Sequence, residues 1–193
     1  MLFSIKNRLA PTLLLLLALA AASFLIRTAL NLPWHLAPQP GLARHAALGL
    51  GTILASDGLL QVTFSLLFRD RYQSRYQALA DYFRRQGPLE ITGAGLLAGG
   101  EELFFRGVLL EGLMDRAGLG PIPALALSAL AFGALHLILD PRLAPFALWA
   151  VWEGVLLGGV YLAFGSLLTC ILVHAAHDII GFSLFAWQRH IRQ

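Results

Sequence analysis

Long apolar runs, broken by short proline- and glycine-rich segments, set the pattern of this chain. Six runs approach the roughly 20 residues that a helix needs to cross a bilayer core: 9–30, 45–68, 89–114, 122–139, 143–164 and 166–188. The breakers are "NLPWHLAPQPG" after the first, "RRQGP" before the third, "GLGPIP" after the third and "DPR" after the fourth. Only "FGS" separates the fifth from the sixth, which predicts a tight hairpin. The expected fold is all-α: a polytopic membrane bundle of about six transmembrane helices. Residues 1–88 would supply two N-terminal spans and a basic amphipathic loop, and residues 89–193 a four-helix membrane core.

Composition supports the same picture. Of 193 residues, 58% are hydrophobic and 13% charged, with mean hydropathy +0.70. Soluble domains carry about 25% charged residues. The formal charge is +3, and its placement matters more than its sum. With the N-terminus inside, the inner segments hold Lys6, Arg8, Arg69, Arg71, Arg75, Arg84, Arg85, Arg142, Arg189 and Arg192, whereas the outer segments hold Arg44 and Arg116, with Arg27 near the outer end of the first span. By the positive-inside rule both termini face the cytoplasm. The start "KNRLAPTLLLLLALA" also has the form of a signal peptide ending at Ala18-Leu19-Ala20. The apolar run continues through Ile26, so an uncleaved helix is the favoured reading.

In "RDRYQSRYQALADYFRR", Tyr72, Tyr76, Leu79 and Phe83 recur at helical spacing among arginines. That pattern suits an amphipathic helix on the inner membrane surface; a solvated basic connector is the plainer alternative. Topology and lipid headgroups account for the arginines, so nucleic acid is not an expected partner. A single cysteine, Cys170, excludes an internal disulfide and a CxxC pair, and reads as a small core residue.

A charged side chain at mid-membrane costs roughly 2.5–3.5 kcal/mol on insertion scales. Glu101, Glu102 and Arg106 lie near the middle of the third run, in "AGGEELFFRGVLL". Glu102 and Arg106 are one helical turn apart and can pair. Glu101 then points about 100° away without a local partner, which marks it as a candidate for chemistry. The fourth run offers "FGALH" with Phe132 and His136, and the sixth "HAAHD" with His174, His177 and Asp178. His174 and Asp178 share a face. His177 is more easily read as a packing contact. Glu153, beside Trp149 and Trp152, reads as bonded within the bundle. Gly95 with Gly99 and Gly154 with Gly158 form small-xxx-small pairs that let helices approach closely.

These residues resemble a known family. "EELFFRG" looks like the EExxxR motif of the CAAX protease and bacteriocin-processing family of intramembrane proteases, "FGALH" like its FxxxH motif and "HAAHD" like its HxxxN/D motif. The order agrees, over about 89–187. The resemblance implies a glutamate-dependent peptidase related to the eukaryotic type II CAAX prenyl endopeptidase. It implies Glu101 as the catalytic glutamate acting on water with His136, and His174 and Asp178 at the oxyanion positions. Glu102, Arg106 and Phe132 would be supporting residues. Asp178 stands where the CAAX endopeptidase has asparagine, and an ionised aspartate cannot donate to an oxyanion.

A metal-free mechanism without cofactor is favoured. The alternative is zinc on Glu101, His136 and His174. Expected partners are membrane lipids and a membrane-anchored protein or peptide, for instance a C-terminal sorting segment, at a bacterial inner membrane. Two other functions compete: a non-catalytic adaptor or bacteriocin-immunity-type protein on the same fold, and a proton-coupled carrier, which the short chain without inverted repeats disfavours.

Overall fold

A computed structural model describes residues 6–69, 86–139 and 144–187. The segment proposed as an amphipathic helix, with Tyr72, Tyr76, Leu79 and Phe83, lies outside the described residues. So do Arg142, Arg189 and Arg192 of the charge count.

The described residues are helical and contain no strand. In chain order they form α1 (Lys6–Leu30), α2 (Leu42–Leu67), α3 (Pro88–Phe104), a π-helical segment (Phe105–Leu110), α4 (Glu111–Asp115), α5 (Pro121–Leu139), α6 (Ala144–Phe164) and α7 (Leu167–Trp187). All six predicted runs are helices. Among the described residues three helical stretches are long and apolar enough to cross a membrane: Leu42–Leu67, Ala147–Phe164 and Leu167–Leu184. Leu16–Leu30 and Pro121–Leu137 are shorter apolar helices.

Local chemistry explains the boundaries. Pro88 opens α3 at a position whose N–H would have no helical partner. Glu90 Oε2 accepts from the Gly87 N–H at 2.6 Å, completing a capping interaction. The "FGS" hairpin is as tight as its sequence predicts. Gly165 takes φ +59°, a left-handed conformation that suits glycine at a helix end, and the Ser166 hydroxyl accepts the Thr169 N–H at 3.1 Å to cap α7.

The third run differs from one continuous α-helix. Its middle is wound as a π-helix that begins at Phe105, three residues beyond Glu102. Such a segment leaves carbonyls that other donors must satisfy. Ser128 Oγ donates to the Phe105 carbonyl at 2.8 Å, and Arg27 donates to the Gly107 carbonyl. Arg27 is fully buried and also pairs with Glu111 Oε2 at 2.7 Å. Near the end of the first span, Arg27 is thus an internal tie between α1 and the α4 end of the third run.

The bundle is held by two close pairs, α3 with α7 and α5 with α6; α1 lies on α3, and α2 lies on α7 and α6. Both pairs rest on the glycines that the sequence singles out. A Cβ at Gly95 would stand 2.9 Å from the Ala175 carbonyl, and one at Gly99 2.8 Å from the Ile171 carbonyl. Across the other interface, a Cβ at Gly154 would meet the Ala129 backbone at 3.0 Å. Cys170 is buried, as expected, in the core with Leu110, Ala124, Val160, Tyr161 and Leu167.

Gly99→Val should therefore force α3 and α7 apart. We expect a loss of about 1–3 kcal/mol or more, the scale of overpacking in a core, seen as a lower melting temperature in detergent. Gly93→Ala is the control: a Cβ there meets nothing within 4 Å, so it should be neutral or mildly stabilising.

Candidate active site

Six helical elements, α2, α3, the π-helical segment, α5, α6 and α7, bring ionisable groups to one centre. Glu102 is fully buried, and a single oxygen of it serves two partners. Arg106 Nη1 donates to Glu102 Oε1 at 2.7 Å, and His174 Nδ1 bonds the same oxygen at 2.8 Å. The first contact is the i, i+4 pair expected from the sequence. The second joins α3 to α7 across 72 positions of chain. Arg106 extends further: Nη2 donates to the Gly154 carbonyl of α6 at 2.9 Å, and its guanidinium lies 5.0 Å from the centroid of Phe132. Gly154 thus permits the α5–α6 approach and supplies an acceptor.

Glu101 is placed differently. It is partly exposed and, among the described residues, makes no hydrogen bond. It lies within coulombic reach of His174, His136, Asp178 and Glu102. His136 donates from Nδ1 to the Phe132 carbonyl at 2.9 Å, which leaves Nε2 as the nitrogen available to another partner. Phe132 is the aromatic hub. Its ring packs edge-on against Phe105 at 4.9 Å, His136 at 4.8 Å and His174 at 5.8 Å between centroids. The FxxxH spacing thus places both residues against the same centre.

His174 has its second nitrogen turned toward carboxylates: Nε2 is 3.8 Å from Glu153 Oε1 and 3.9 Å from Asp178 Oδ2. His177 is more engaged than the packing reading supposes. Its Nε2 lies 2.6 Å from Asp57 Oδ2 of α2, and its Nδ1 lies 2.8 Å from Glu153 Oε1 and 3.1 Å from Asp178 Oδ1. Asp57 is not among the residues that the sequence patterns single out. The signal existed: a lone carboxylate inside "ILASDGLLQV" has the same mid-span position as Glu101 and the same cost.

Among the described residues the convergent group is Glu153, His177 and Asp178, with candidate ligand atoms all within 4.8 Å of one another.

A family model, type II CAAX prenyl endopeptidase Rce1-like, matches residues 86–180. Residues 86–180 belong to the Rce1-like family. The match covers about half of the chain, from the turn before α3 into α7, and contains all three motifs. The resemblance read from those motifs therefore holds at the level of the family, which is one of endopeptidases. Asp57 of α2 and Arg27 of α1 lie outside the Rce1-like stretch, yet both reach side chains within it, His177 and Glu111. No curated protein and no solved structure matches the chain.

Proposed function

We propose that this chain is an intramembrane endopeptidase that hydrolyses a peptide bond in a membrane-associated protein with a water activated by Glu101 and His136. The observation that carries the reading is the division of labour between adjacent glutamates. Glu102 is held by Arg106 and His174, whereas Glu101 has no hydrogen bond and lies beside two histidines.

A water donates one O–H to the Glu101 carboxylate and the other to His136 Nε2, and its oxygen attacks the carbonyl carbon. Glu101 takes that proton as general base and returns it to the leaving amine as general acid. The oxyanion of the tetrahedral intermediate accepts from His174 Nε2. Because His174 Nδ1–H is committed to Glu102, donation from Nε2 requires the doubly protonated ring. That ring finds a carboxylate on each side, Glu102 at one nitrogen and Glu153 with Asp178 at the other. Asp178 serves as a charge partner that orients His174 rather than as an oxyanion donor, consistent with aspartate in place of asparagine. Glu102, Arg106 and Phe132 hold this arrangement. No step uses a metal.

The proposed setting is a bacterial inner membrane, with about six spans, both termini cytoplasmic and four helices of 89–193 as the catalytic core. The proposed substrate is membrane-anchored, such as a protein with a C-terminal sorting segment.

The test compares termini of membrane proteins in the native host, wild type against Glu101→Gln at matched expression. We expect a set of cleaved termini that disappears in the variant. Identical termini together with a retained phenotype would replace this reading with the non-catalytic adaptor.

A further inference from the structure

Next to His174 lies a group of side chains of which the peptidase reading uses only Glu153 and Asp178, as charge partners of His174. His177 is clamped between three carboxylates on three helices: Asp57 of α2, Glu153 of α6 and Asp178 of α7. Asp57 is nine-tenths buried, and the side chains of Glu153, His177 and Asp178 are 13%, 12% and 16% exposed. Arg106 is already engaged by Glu102 and the Gly154 carbonyl.

His177 Nε2–H donates to Asp57 Oδ2 at 2.6 Å. The other nitrogen, Nδ1, then faces Asp178 Oδ1 at 3.1 Å and Glu153 Oε1 at 2.8 Å. A second proton on Nδ1 can serve one of these oxygens. It serves Asp178, and the close approach of Glu153 Oε1 lies outside hydrogen-bond geometry: that atom is inaccessible to solvent and has no hydrogen-bond partner. Glu153, His177 and Asp178 thus turn ligand atoms toward one another, all within 4.8 Å, an arrangement that suits a shared cation.

We infer that Glu153 Oε1, His177 Nδ1 and Asp178 Oδ1 bind a divalent transition-metal ion of the zinc class. The donor set, one imidazole nitrogen and two carboxylate oxygens, suits such an ion. Ligands about 2.0–2.1 Å from a tetrahedral metal stand about 3.3 Å apart, near the observed 2.8 and 3.1 Å. Asp57 completes the pattern. A histidine that ligates through one nitrogen donates its other N–H to a carboxylate, which fixes the tautomer and raises its basicity, and Asp57 accepts that bond. The ion compensates the charge of the carboxylates and ties α6 to α7, with α2 held through Asp57. The site shares Glu153 and Asp178 with the surroundings of His174, but it uses neither Glu101 nor His136 and does not rest on their proposed chemistry.

The test uses the full chain in detergent, stripped with a chelator and titrated with Co²⁺, whose d–d absorption reports the ligand field. We expect one Co²⁺ per chain, displaced by Zn²⁺, and a higher melting temperature with metal. Glu153→Gln and His177→Ala should abolish the spectrum. Asp57→Asn should keep all three ligands and weaken binding about 10–100-fold, which keeps the test valid if a ligand variant fails to fold. Glu101→Gln and His136→Ala should bind Co²⁺ as the wild type does, whether or not they cleave. A folded wild type without a cobalt spectrum at tenfold excess would overturn the proposal. So would a spectrum that survives in Glu153→Gln and Asp57→Asn unchanged, or one lost in Glu101→Gln.

Discussion

Glu101→Gln should reduce kcat/KM on a cleavable membrane peptide by on the order of 10⁴, with little change in melting temperature. General acid–base catalysis contributes typically about 10²–10⁴, and here one carboxylate serves twice, first taking the proton from water and then passing it to the amine. A loss of about 10⁴ is close to 5.4 kcal/mol of transition-state stabilisation at about 1.36 kcal/mol per tenfold. The fold should tolerate the change because Glu101 makes no hydrogen bond among the described residues and is partly exposed. Glutamine has nearly the same shape, and it lacks only the capacity to accept the proton. The measurement is single-turnover cleavage in detergent micelles alongside thermal melts. Activity within tenfold of wild type would remove Glu101 from the mechanism. A collapse of both activity and melting temperature would instead place it among the structural residues.

Arg106→Met should be the most damaging single change to stability. The guanidinium is 1% exposed and joins three elements: Glu102 of α3, the Gly154 carbonyl of α6 and the Phe132 face of α5. Removing one partner of a buried ion pair costs roughly 3–5 kcal/mol, because the other charge is left without compensation. Here the orphan would be Glu102, which is wholly buried. The double variant Glu102→Leu with Arg106→Met should recover much of that loss, since buried pairs replaced by apolar groups are often near neutral. It should still be inactive, because His174 Nδ1 has lost the acceptor that sets its ring. Melting temperatures of the two single variants and the double form a thermodynamic cycle. If Arg106→Met melts within 1 °C of wild type, the pair does not hold the bundle. If the double variant cleaves normally, the Glu102–His174 bond has no part in orienting the site.

Both expectations separate two kinds of buried charge that look alike in the sequence. Glu101, Glu102, Asp57, Glu111 and Glu153 are all carboxylates in or at the ends of apolar helices. Only Glu102 has its cation one turn away on the same helix, at Arg106. Glu111 finds Arg27 from α1, and Asp57 finds His177 from α7. Glu153, read from the sequence as a bond within the bundle, is indeed internal, but its close neighbours are the histidines of the site.

What the sequence determined by itself is whatever repeats within one helix. The 3.6-residue period placed Glu102 against Arg106 and His174 beside Asp178. Run length and breakers placed six helices, and small-xxx-small spacing marked Gly95, Gly99, Gly154 and Gly158 as contact points. The three motifs in order pointed to the family. What the tertiary structure decided is every contact between helices. Glu102 meets His174, Asp57 meets His177 and Arg27 meets Glu111 over 72, 120 and 84 positions of chain. Those meetings depend on the rotation of each helix about its axis and on its height against its neighbours. No local period carries either quantity. A shift of one residue turns a side chain by about 100°, and the π-helical segment that follows Glu102 resets the rotation of everything beyond it. The glycines bring the helices close, and packing between the whole faces then selects which polar groups share the centre.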